Sequence, residues 1–367
     1  MLQKPMQKIV HVIESLDRGG AEILFSDLLP ELSKYYSIVL VTLKPDNTFG
    51  EGLLQNCDAY YCLNYKGYKS LMTSVLQLRK IIQTHQPVLV RSQLTMSNII
   101  SRLACPPNIP FVFSIHSKLS MQIKTNLKGW GIWNLEKWTV RKNDTLIGVS
   151  QVIINDYKKN FPFRGKSYVL YNYVREDFLS GLGSEAYSGG PLRLVAVGNL
   201  REPKNYFYLI EAFKQLRDKD VYLDIYGDGP LHTELQQKIT AEQVNICLKG
   251  GTGNSFEALK GHHAFVMVSS FEGFGIAVAE AMAAGIPLIL SDIAVFREIT
   301  ENHAIFIDIS SVDSFVSTIA KISNKELSLN AYIQENRQTA LNRYRKNAYV
   351  QNLLKIYENA LNEKGTN

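Results

Sequence analysis

The chain has 367 residues, of which 46% are hydrophobic and 20% are charged. This length suits two domains of ordinary size, and this composition excludes a disordered or fibrous chain. No apolar run approaches the roughly 20 residues that a membrane-spanning helix needs. The apolar residues 9–13 near the N-terminus form too short a core for a signal peptide, so we expect a cytoplasmic protein.

The cysteines and the charges further narrow the class of protein to which the chain can belong. The four cysteines form neither a C-x-x-C pair nor a Cys/His zinc spacing, so we expect reduced thiols and no structural metal. Residues 1–180 hold 22 Lys+Arg and 13 Asp+Glu, a charge of +9, whereas the remainder holds 18 and 21, a charge of −3. The basic first half favours a polyanionic partner, either a membrane leaflet or nucleic acid.

The first half alternates short apolar runs with helical periodicity, which predicts a parallel, doubly wound sheet. Gly19 and Gly20 lie in the first strand-to-helix turn, where glycine either admits a phosphate or only satisfies the geometry of the turn. His116 follows a predicted strand directly, at the edge where open α/β sheets bind ligands. A lone histidine there is more often structural.

Residues 121–142 contain all three tryptophans, Trp130, Trp133 and Trp138, together with five cations and the single acid Glu136. Tryptophan beside lysine and arginine is typical of a membrane interface. The alternative is a helix whose tryptophans pack into the core and whose cations face solvent. We expect no nucleic-acid partner, because no recognised nucleic-acid module accompanies the segment.

A glycine- and serine-rich stretch, residues 181–190, predicts an interdomain linker, after which the strand pattern restarts at Leu192. We therefore expect domains at residues 1–180 and 191–345. Residues 331–361 are predicted to form one long helix.

Residues 269–292 predict a loop, a helix, a turn and a strand. Glu272, Gly273, Phe274 and Gly275 form the loop at the helix N-terminus, a place that favours an anion such as phosphate. Glu280 lies on an otherwise apolar helix, so its carboxylate needs a partner, and a ribose would supply hydroxyls. Taken alone, each glutamate is better explained by a structural role, whereas the two together favour ligand binding.

Glu272 and Glu280, within S-x-x-E-G-F-G-x-x-x-x-E-A-M-A-x-G-x-P, resemble the E-x7-E signature of the family 4 retaining glycosyltransferases. The resemblance implies the GT-B fold, with two Rossmann-like domains facing a cleft and the nucleotide sugar held mainly by the second. It also implies that residues 346–367 form a helix crossing back to the first, acceptor-side domain. It further implies a metal-independent hexosyltransferase without cofactors, in which protein cations replace Mg²⁺.

The same resemblance assigns site residues. His116 and Glu272 match catalytic positions. G-G-A-E after the first strand resembles the loop that faces the donor phosphates, and Lys204 matches a lysine that neutralises the pyrophosphate. Asn199 stands where an arginine is frequent, and Arg201 is a candidate replacement. The donor-binding set is Gly19, Gly20, Arg201, Lys204, Gly273, Phe274, Gly275 and Glu280.

The sequence thus predicts transfer of a sugar from a nucleotide diphosphate sugar to a glycan or lipid-linked acceptor in surface polysaccharide assembly. A UDP-sugar is favoured over GDP-mannose as donor. Residues 121–142 are predicted to bring the enzyme to an anionic membrane surface. Two alternatives stay open. One is a GT-B nucleotide-sugar 2-epimerase, against which the intact E-x7-E loop counts. The other is a catalytically silent, membrane-associated glycan-binding subunit, which the Asn199 departure keeps open.

Overall fold

The computed structural model describes residues 6–17, 19–119, 127–182 and 187–363. The chain divides into two compact units, one formed by residues 1–172 and 347–367 and the other by residues 173–346. Each unit is an α/β unit built on a parallel sheet, so the doubly wound fold predicted from the strand and helix alternation is confirmed.

The first unit carries seven parallel strands in the order β3-β2-β1-β4-β5-β6-β7. Its strands are β1 (Lys8–Ile13), β2 (Ser37–Thr42), β3 (Ala59–Cys62), β4 (Leu89–Gln93), β5 (Phe111–Ile115), β6 (Thr145–Gly148) and β7 (Ser167–Val169). Its helices are α1 (Gly20–Leu32), α2 (Glu51–Leu54), α3 (Leu71–His85), α4 (Thr95–Ala104), α5 (Leu127–Thr139) and α6 (Gln151–Asn160). A 3₁₀ turn, Tyr68–Ser70, leads into α3. The strand order reverses between β1 and β4, which makes their carboxyl ends the switch point of this sheet.

The second unit carries six parallel strands in the order β10-β9-β8-β11-β12-β13. They are β8 (Leu192–Val197), β9 (Val221–Tyr226), β10 (Ile246–Gly250), β11 (Ala264–Met267), β12 (Leu288–Ser291) and β13 (Ile305–Ile307). Its helices are α7 (Glu176–Leu179), α8 (Tyr206–Lys214), α9 (His232–Glu242), α10 (Ser255–Leu259), α11 (Ile276–Ala284), α12 (Ala294–Ile299), α13 (Val312–Ser323) and α14 (Ile333–Arg343). A 3₁₀ turn, Glu202–Lys204, precedes α8. Here the switch point lies between β8 and β11.

The division between the units falls eight residues before the predicted boundary at 180. Residues 176–179 form α7, which packs against α11, and the backbone N–H of Leu182 donates to the carbonyl oxygen of Ala284 at 2.9 Å. These contacts place the stretch in the second unit. Residues 183–186 of the predicted linker lie outside the described residues.

The prediction of one helix over residues 331–361 is wrong. The chain forms α14 and then α15 (Lys346–Asn362), with Tyr344 between them in a non-helical conformation. The Tyr344 ring is fully buried, and its hydroxyl donates to the carbonyl oxygen of Ile299 at 2.7 Å. This anchoring ends α14, after which α15 buries Val350, Leu353 and Tyr357 in the core of the first unit.

Each sheet has its own apolar core, formed by one face of the strands and the helices packed on it. Because strands of a parallel sheet are covered on both faces, they read as continuous apolar runs, such as residues 38–41 in β2. No helix in the described parts of the chain is both long enough and apolar enough to cross a membrane.

Candidate functional site

Two loops leave the switch point of the second sheet at the carboxyl ends of adjacent strands. Residues 198–204 follow β8, and residues 268–275 follow β11. The backbone N–H of Ser270 donates to the carbonyl oxygen of Pro203 at 2.9 Å, which ties the loops together. The Ser291 hydroxyl on β12 donates to the carbonyl oxygen of Ser269 at 2.7 Å. The loops are thus held at the crevice where open α/β sheets bind their ligands.

Lys204 and Glu272 meet in this crevice. The Lys204 Nζ lies 2.7 Å from Glu272 Oε1, and the two side chains are 20% and 15% exposed. The Ser269 hydroxyl donates to the same carboxylate oxygen at 2.9 Å. Gly198 allows this placement, because a Cβ there would lie 3.2 Å from Lys204 Cε. A shielded cation with a single carboxylate partner can exchange that partner for a phosphate.

The glycine-rich loop ends at the N-terminus of α11. Gly275 caps the helix with φ +87°, a conformation that favours glycine, and a Cβ there would lie 3.0 Å from the Phe296 ring. The Phe274 side chain is buried and packs edge-on against the Tyr344 ring, with centroids 5.2 Å apart. A ligand at this helix end would therefore meet the backbone of residues 273–275, with no contact from the Phe274 ring.

Glu280 lies on α11, partly buried, and its Oε2 accepts a hydrogen bond from the Ser255 hydroxyl at 3.3 Å. Burial raises the pKa of the Glu280 carboxyl to about 7, while Arg175 and the Ser255 hydrogen bond oppose the rise. Arg175 is itself paired with Asp177 at 2.8 Å. The carboxylate thus has one weak protein partner and spare capacity to accept from hydroxyl groups of a ligand.

Asn199 and Arg201 are both exposed on the loop after β8. A backbone hydrogen bond holds this loop in place: the Leu200 N–H donates to the Asp228 carbonyl oxygen at 2.9 Å. Gly227 lets the chain before Asp228 approach the loop closely, because a Cβ at position 227 would lie 2.0 Å from the Gly198 carbonyl oxygen. Arg201 was predicted to replace the arginine that is frequent at the position of Asn199. This assignment stays a prediction.

In the first unit, Gly19 caps α1 and Gly20 begins it, beside the switch point. The Glu22 carboxylate folds over this turn, and a Cβ on Gly19 would lie 2.2 Å from Glu22 Oε2. Burial, and next the carboxylates of Glu14 and Asp17, raise the pKa of Glu22. Because the Glu22 carboxylate is the end of a flexible side chain and Gly19 has an extended backbone, this packing alone does not require glycine at position 19. The donor-binding role of Gly19 stays a prediction.

His116 follows β5 at the carboxyl edge of the same sheet, two strands from β1. Burial, and next the charge of Arg91, lower the pKa of His116 to about 3. Its Nε2 is inaccessible to solvent and has no partner among the described residues. The imidazole is therefore neutral at physiological pH. It can donate or accept a hydrogen bond to a ligand, but it cannot supply a positive charge.

The residues behind His116 were not anticipated from the sequence. Arg91 on β4 is 1% exposed and donates to the carbonyl oxygen of Ser92 at 3.0 Å and to the Ser114 hydroxyl. His11 on β1 lies beside it in register and contacts Gln93 Nε2 at 2.9 Å. The available signal was the presence of polar residues in buried strands: His11 in β1, and Arg91, Ser92 and Gln93 in β4. Ser255 and Arg175 were also missed, since neither stands in a recognisable motif.

Helix α5 covers the described part of the tryptophan-rich segment, and residues 121–126 lie outside the described residues. Trp130 and Trp138 are 69% and 78% exposed. Trp133 instead packs against Phe161, with ring centroids 4.5 Å apart. Glu136 is buried and binds Arg102, with 3.0 Å between Oε1 and Nη2. Two tryptophans are thus exposed, and the third is partly buried against Phe161.

No cluster of three or more His, Cys, Asp or Glu side chains within residues 6–17, 19–119, 127–182 and 187–363 is placed to hold a metal ion. In the second unit, the described cation nearest to the Glu272 carboxylate is the Lys204 ammonium.

Two family profiles match successive parts of the chain. "Glycosyltransferase Family 4" matches residues 18–178, and "Glycosyl transferases group 1" matches residues 184–339. Together they span most of both units.

Among curated relatives, a Campylobacter jejuni protein is 23% identical over 303 residues, covering 78% of this chain and 81% of its own. It is named N-acetylgalactosamine-N,N'-diacetylbacillosaminyl-diphospho-undecaprenol 4-alpha-N-acetylgalactosaminyltransferase. An Escherichia coli UDP-Gal:alpha-D-GlcNAc-diphosphoundecaprenol alpha-1,3-galactosyltransferase is 27% identical over 140 residues, 36% of each chain.

The solved structure of Anabaena HepE in complex with UDP superposes with a TM-score of 0.79 and 17% identity, covering 96% of this chain and 100% of that one. This likeness shows the fold, and the paired parallel sheets agree with it. The two profiles confirm the resemblance to the family 4 glycosyltransferases that residues 269–292 indicated. With both sheets and both profiles in agreement, this chain belongs to the GT4-type glycosyltransferases of GT-B fold.

Proposed function

We propose that the protein transfers a hexosyl group from a nucleotide diphosphate sugar to a glycan or lipid-linked acceptor during assembly of a surface polysaccharide. The observation that carries the proposal is the Lys204–Glu272 pair at the switch point of the second sheet. A cation shielded from water there is suited to a pyrophosphate leaving group.

The donor would lie along the N-terminal end of α11. Lys204 would neutralise the charge that develops on the departing pyrophosphate, assisted by Arg201 and the backbone of residues 273–275. Glu280 would accept from the ribose hydroxyls, and neutral His116 would hydrogen-bond the transferred sugar. With these protein cations in the leaving-group role, we propose a metal-independent reaction without a cofactor. We also propose that the anomeric configuration is retained, as the family resemblance implies.

A UDP-sugar is our preferred donor, ahead of GDP-mannose. The support is that HepE was solved with UDP and that the E. coli relative is named for UDP-Gal. A lipid diphosphate acceptor is supported by two relatives whose names contain diphosphoundecaprenol or diphospho-undecaprenol. Since such an acceptor is membrane-bound, we also propose peripheral attachment to the inner face of the cytoplasmic membrane, with residues 121–142 in contact.

The test has a binding arm and a product arm. UDP, GDP, ADP and their common sugar conjugates are screened by thermal shift, because a ligand of the native state raises its melting temperature by mass action. A response to one nucleotide series that Glu280→Ala abolishes supports the donor site. No response from any nucleotide would contradict it.

Radiolabelled donor then separates the reaction classes. A transferase consumes the donor when a lipid diphosphate sugar acceptor is added. A 2-epimerase converts the donor without acceptor. A silent subunit does neither, and that result would overturn the proposed activity.

A further inference from the structure

A groove with a volume of about 590 Å³ lies on the surface of the first unit. One side of it is bordered by Gln7, which precedes β1, and by Tyr35 and Tyr36, which precede β2. Helix α15 forms the other side. Ligand sites in proteins have volumes of roughly 300–1,000 Å³, so this groove is large enough to hold a ligand.

The groove lies at the opposite edge of the first sheet from His116. His116 follows the carboxyl end of β5, whereas Gln7 and Tyr36 stand at the amino ends of β1 and β2. Strand β1 has six residues, which span about 20 Å. A ligand in the groove would therefore leave the carboxyl edge of the sheet, where His116 lies, unoccupied.

Helix α15 turns a polar face to the groove. Gln351, Lys355 and Glu358 are exposed and follow the i, i+4 and i+7 spacing of one helix face. The opposite face buries Val350 and Tyr357 in the core of the first unit. The side chains that line the groove are thus additional to those that hold the helix on the sheet.

Two adjacent tyrosines form the aromatic part of the groove. Tyr36 is 8% exposed, and its ring packs edge-on against Tyr357, with centroids 5.9 Å apart. Tyr35 is 46% exposed. The backbone N–H groups of both tyrosines donate to the carbonyl oxygen of Leu32 at 3.0 Å. The exposed ring of Tyr35 is therefore carried by a turn that the core holds in place.

The polar side chains of the groove are available to a ligand. The side-chain amides of Gln7, Gln351 and Asn352 are exposed and make no hydrogen bond with any residue that the structure describes. Each amide offers two donors and an acceptor. Lys355 and Glu358 contribute one charge of each sign, so the lining has no net charge. This lining suits an uncharged ligand rich in hydroxyl groups better than a polyanion.

We propose that the groove is a second carbohydrate site, which holds an uncharged stretch of glycan away from the reaction. A hexose ring carries C–H groups on one face, which pack on an aromatic ring such as that of Tyr35. Its hydroxyl groups, at the rim, pair with side-chain amides such as that of Gln351.

The inference rests on the proposed function for the source of the glycan, because the acceptor of that reaction is a glycan or a lipid-linked sugar. It adds a site that takes no part in the chemical step. For a glycan long enough to reach both sites, binding in the groove raises the effective concentration of the reacting end.

The test is saturation-transfer NMR of the full chain with four probes: maltohexaose, mannohexaose, galactohexaose and N-acetylchitohexaose. We expect at least one probe to bind. Tyr35→Ala should weaken its binding at least about fivefold, because the exposed ring face is lost, whereas Tyr35→Phe should retain it. Gln351→Ala should also weaken it. Tyr222→Ala, which removes a 44% exposed tyrosine of the second unit, should bind like the wild type.

UDP separates this site from the donor site. Saturating UDP should leave probe binding unchanged, and Tyr35→Ala should keep the thermal response to UDP. The proposal falls if no probe binds, if UDP displaces the probe, or if wild type and Tyr35→Ala bind it equally. A change of oligomeric state in Tyr35→Ala with unaltered probe binding would instead assign the groove to a second copy of the chain. Failure of the proposed function would appear separately, as Tyr35-dependent probe binding without nucleotide stabilisation.

Discussion

The Lys204 ammonium lies 2.7 Å from one Glu272 carboxylate oxygen, and that oxygen also accepts from the Ser269 hydroxyl at 2.9 Å. The pair joins the two loops of the second unit's switch point. A donor pyrophosphate would compete with Glu272 for Lys204. Donor binding would therefore affect the ion pair that joins these two loops.

Lys204→Met should weaken nucleotide diphosphate binding at least about tenfold, because a charge-assisted contact to the pyrophosphate is lost. Isothermal titration calorimetry with UDP measures the change. Lys214→Met is the matched control: this lysine of α8 binds Glu211 at 3.0 Å on the surface of the same unit. Equal affinities for wild type and Lys204→Met would remove Lys204 from the donor site.

Glu280 should make stability depend on pH. Its pKa is raised to about 7 in the folded chain, so the folded state holds the proton more tightly than the unfolded state. The stabilisation is complete below the unfolded value and is lost as pH rises through about 7, by up to about 3 kcal/mol. Urea unfolding between pH 5 and pH 8 should show a drop that Glu280→Gln lacks. The same drop in the variant would assign it to another group.

The same carboxyl should release a proton when the donor binds. Ribose hydroxyls that donate to Glu280 favour its charged form and lower its pKa. Near pH 7, calorimetric binding enthalpies should therefore vary with the ionisation enthalpy of the buffer. For Glu280→Gln this dependence should disappear; buffer-independent enthalpies for the wild type would argue against a ribose contact.

His116 should not titrate near its ordinary pKa. Burial and the Arg91 charge lower its pKa to about 3, so the ring stays neutral from about pH 4 upward. Since the unfolded chain binds the proton more readily, this histidine reduces stability as pH falls below the ordinary value of about 6.5. NMR of the ring protons should show no transition between pH 5 and pH 8. A transition near pH 6.5 would refute the assigned environment.

Arg102 should be a stability residue. Arg102→Met leaves Glu136 and Asp144 as buried carboxylates without their cation, which should cost roughly 3–5 kcal/mol. Lys34→Met is the control, because Lys34 is 61% exposed and its pair with Glu31 should contribute less than about 1 kcal/mol. Denaturant unfolding compares the two. A loss below about 1 kcal/mol in Arg102→Met would mean that the network is not anchoring α5.

The repeated apolar runs predicted both sheets, because a parallel strand covered on both faces must be apolar along its whole length. The spacing of Glu272 and Glu280 around a glycine loop indicated the family, since a strand, a loop and a helix N-terminus are local features. The single helix over residues 331–361 failed, because the buried ring of Tyr344 and its bond to the Ile299 carbonyl oxygen are contacts between distant segments.

What the sequence determined by itself was local: the strand and helix alternation and the loop at residues 272–275. Only the tertiary structure decided which side chains meet. It paired Lys204 with Glu272 across 68 positions, placed Arg91 in the environment of His116, and packed Trp133 against Phe161 while leaving Trp130 exposed. The physical reason is that burial and charge pairing depend on contacts between segments that a sequence pattern treats separately.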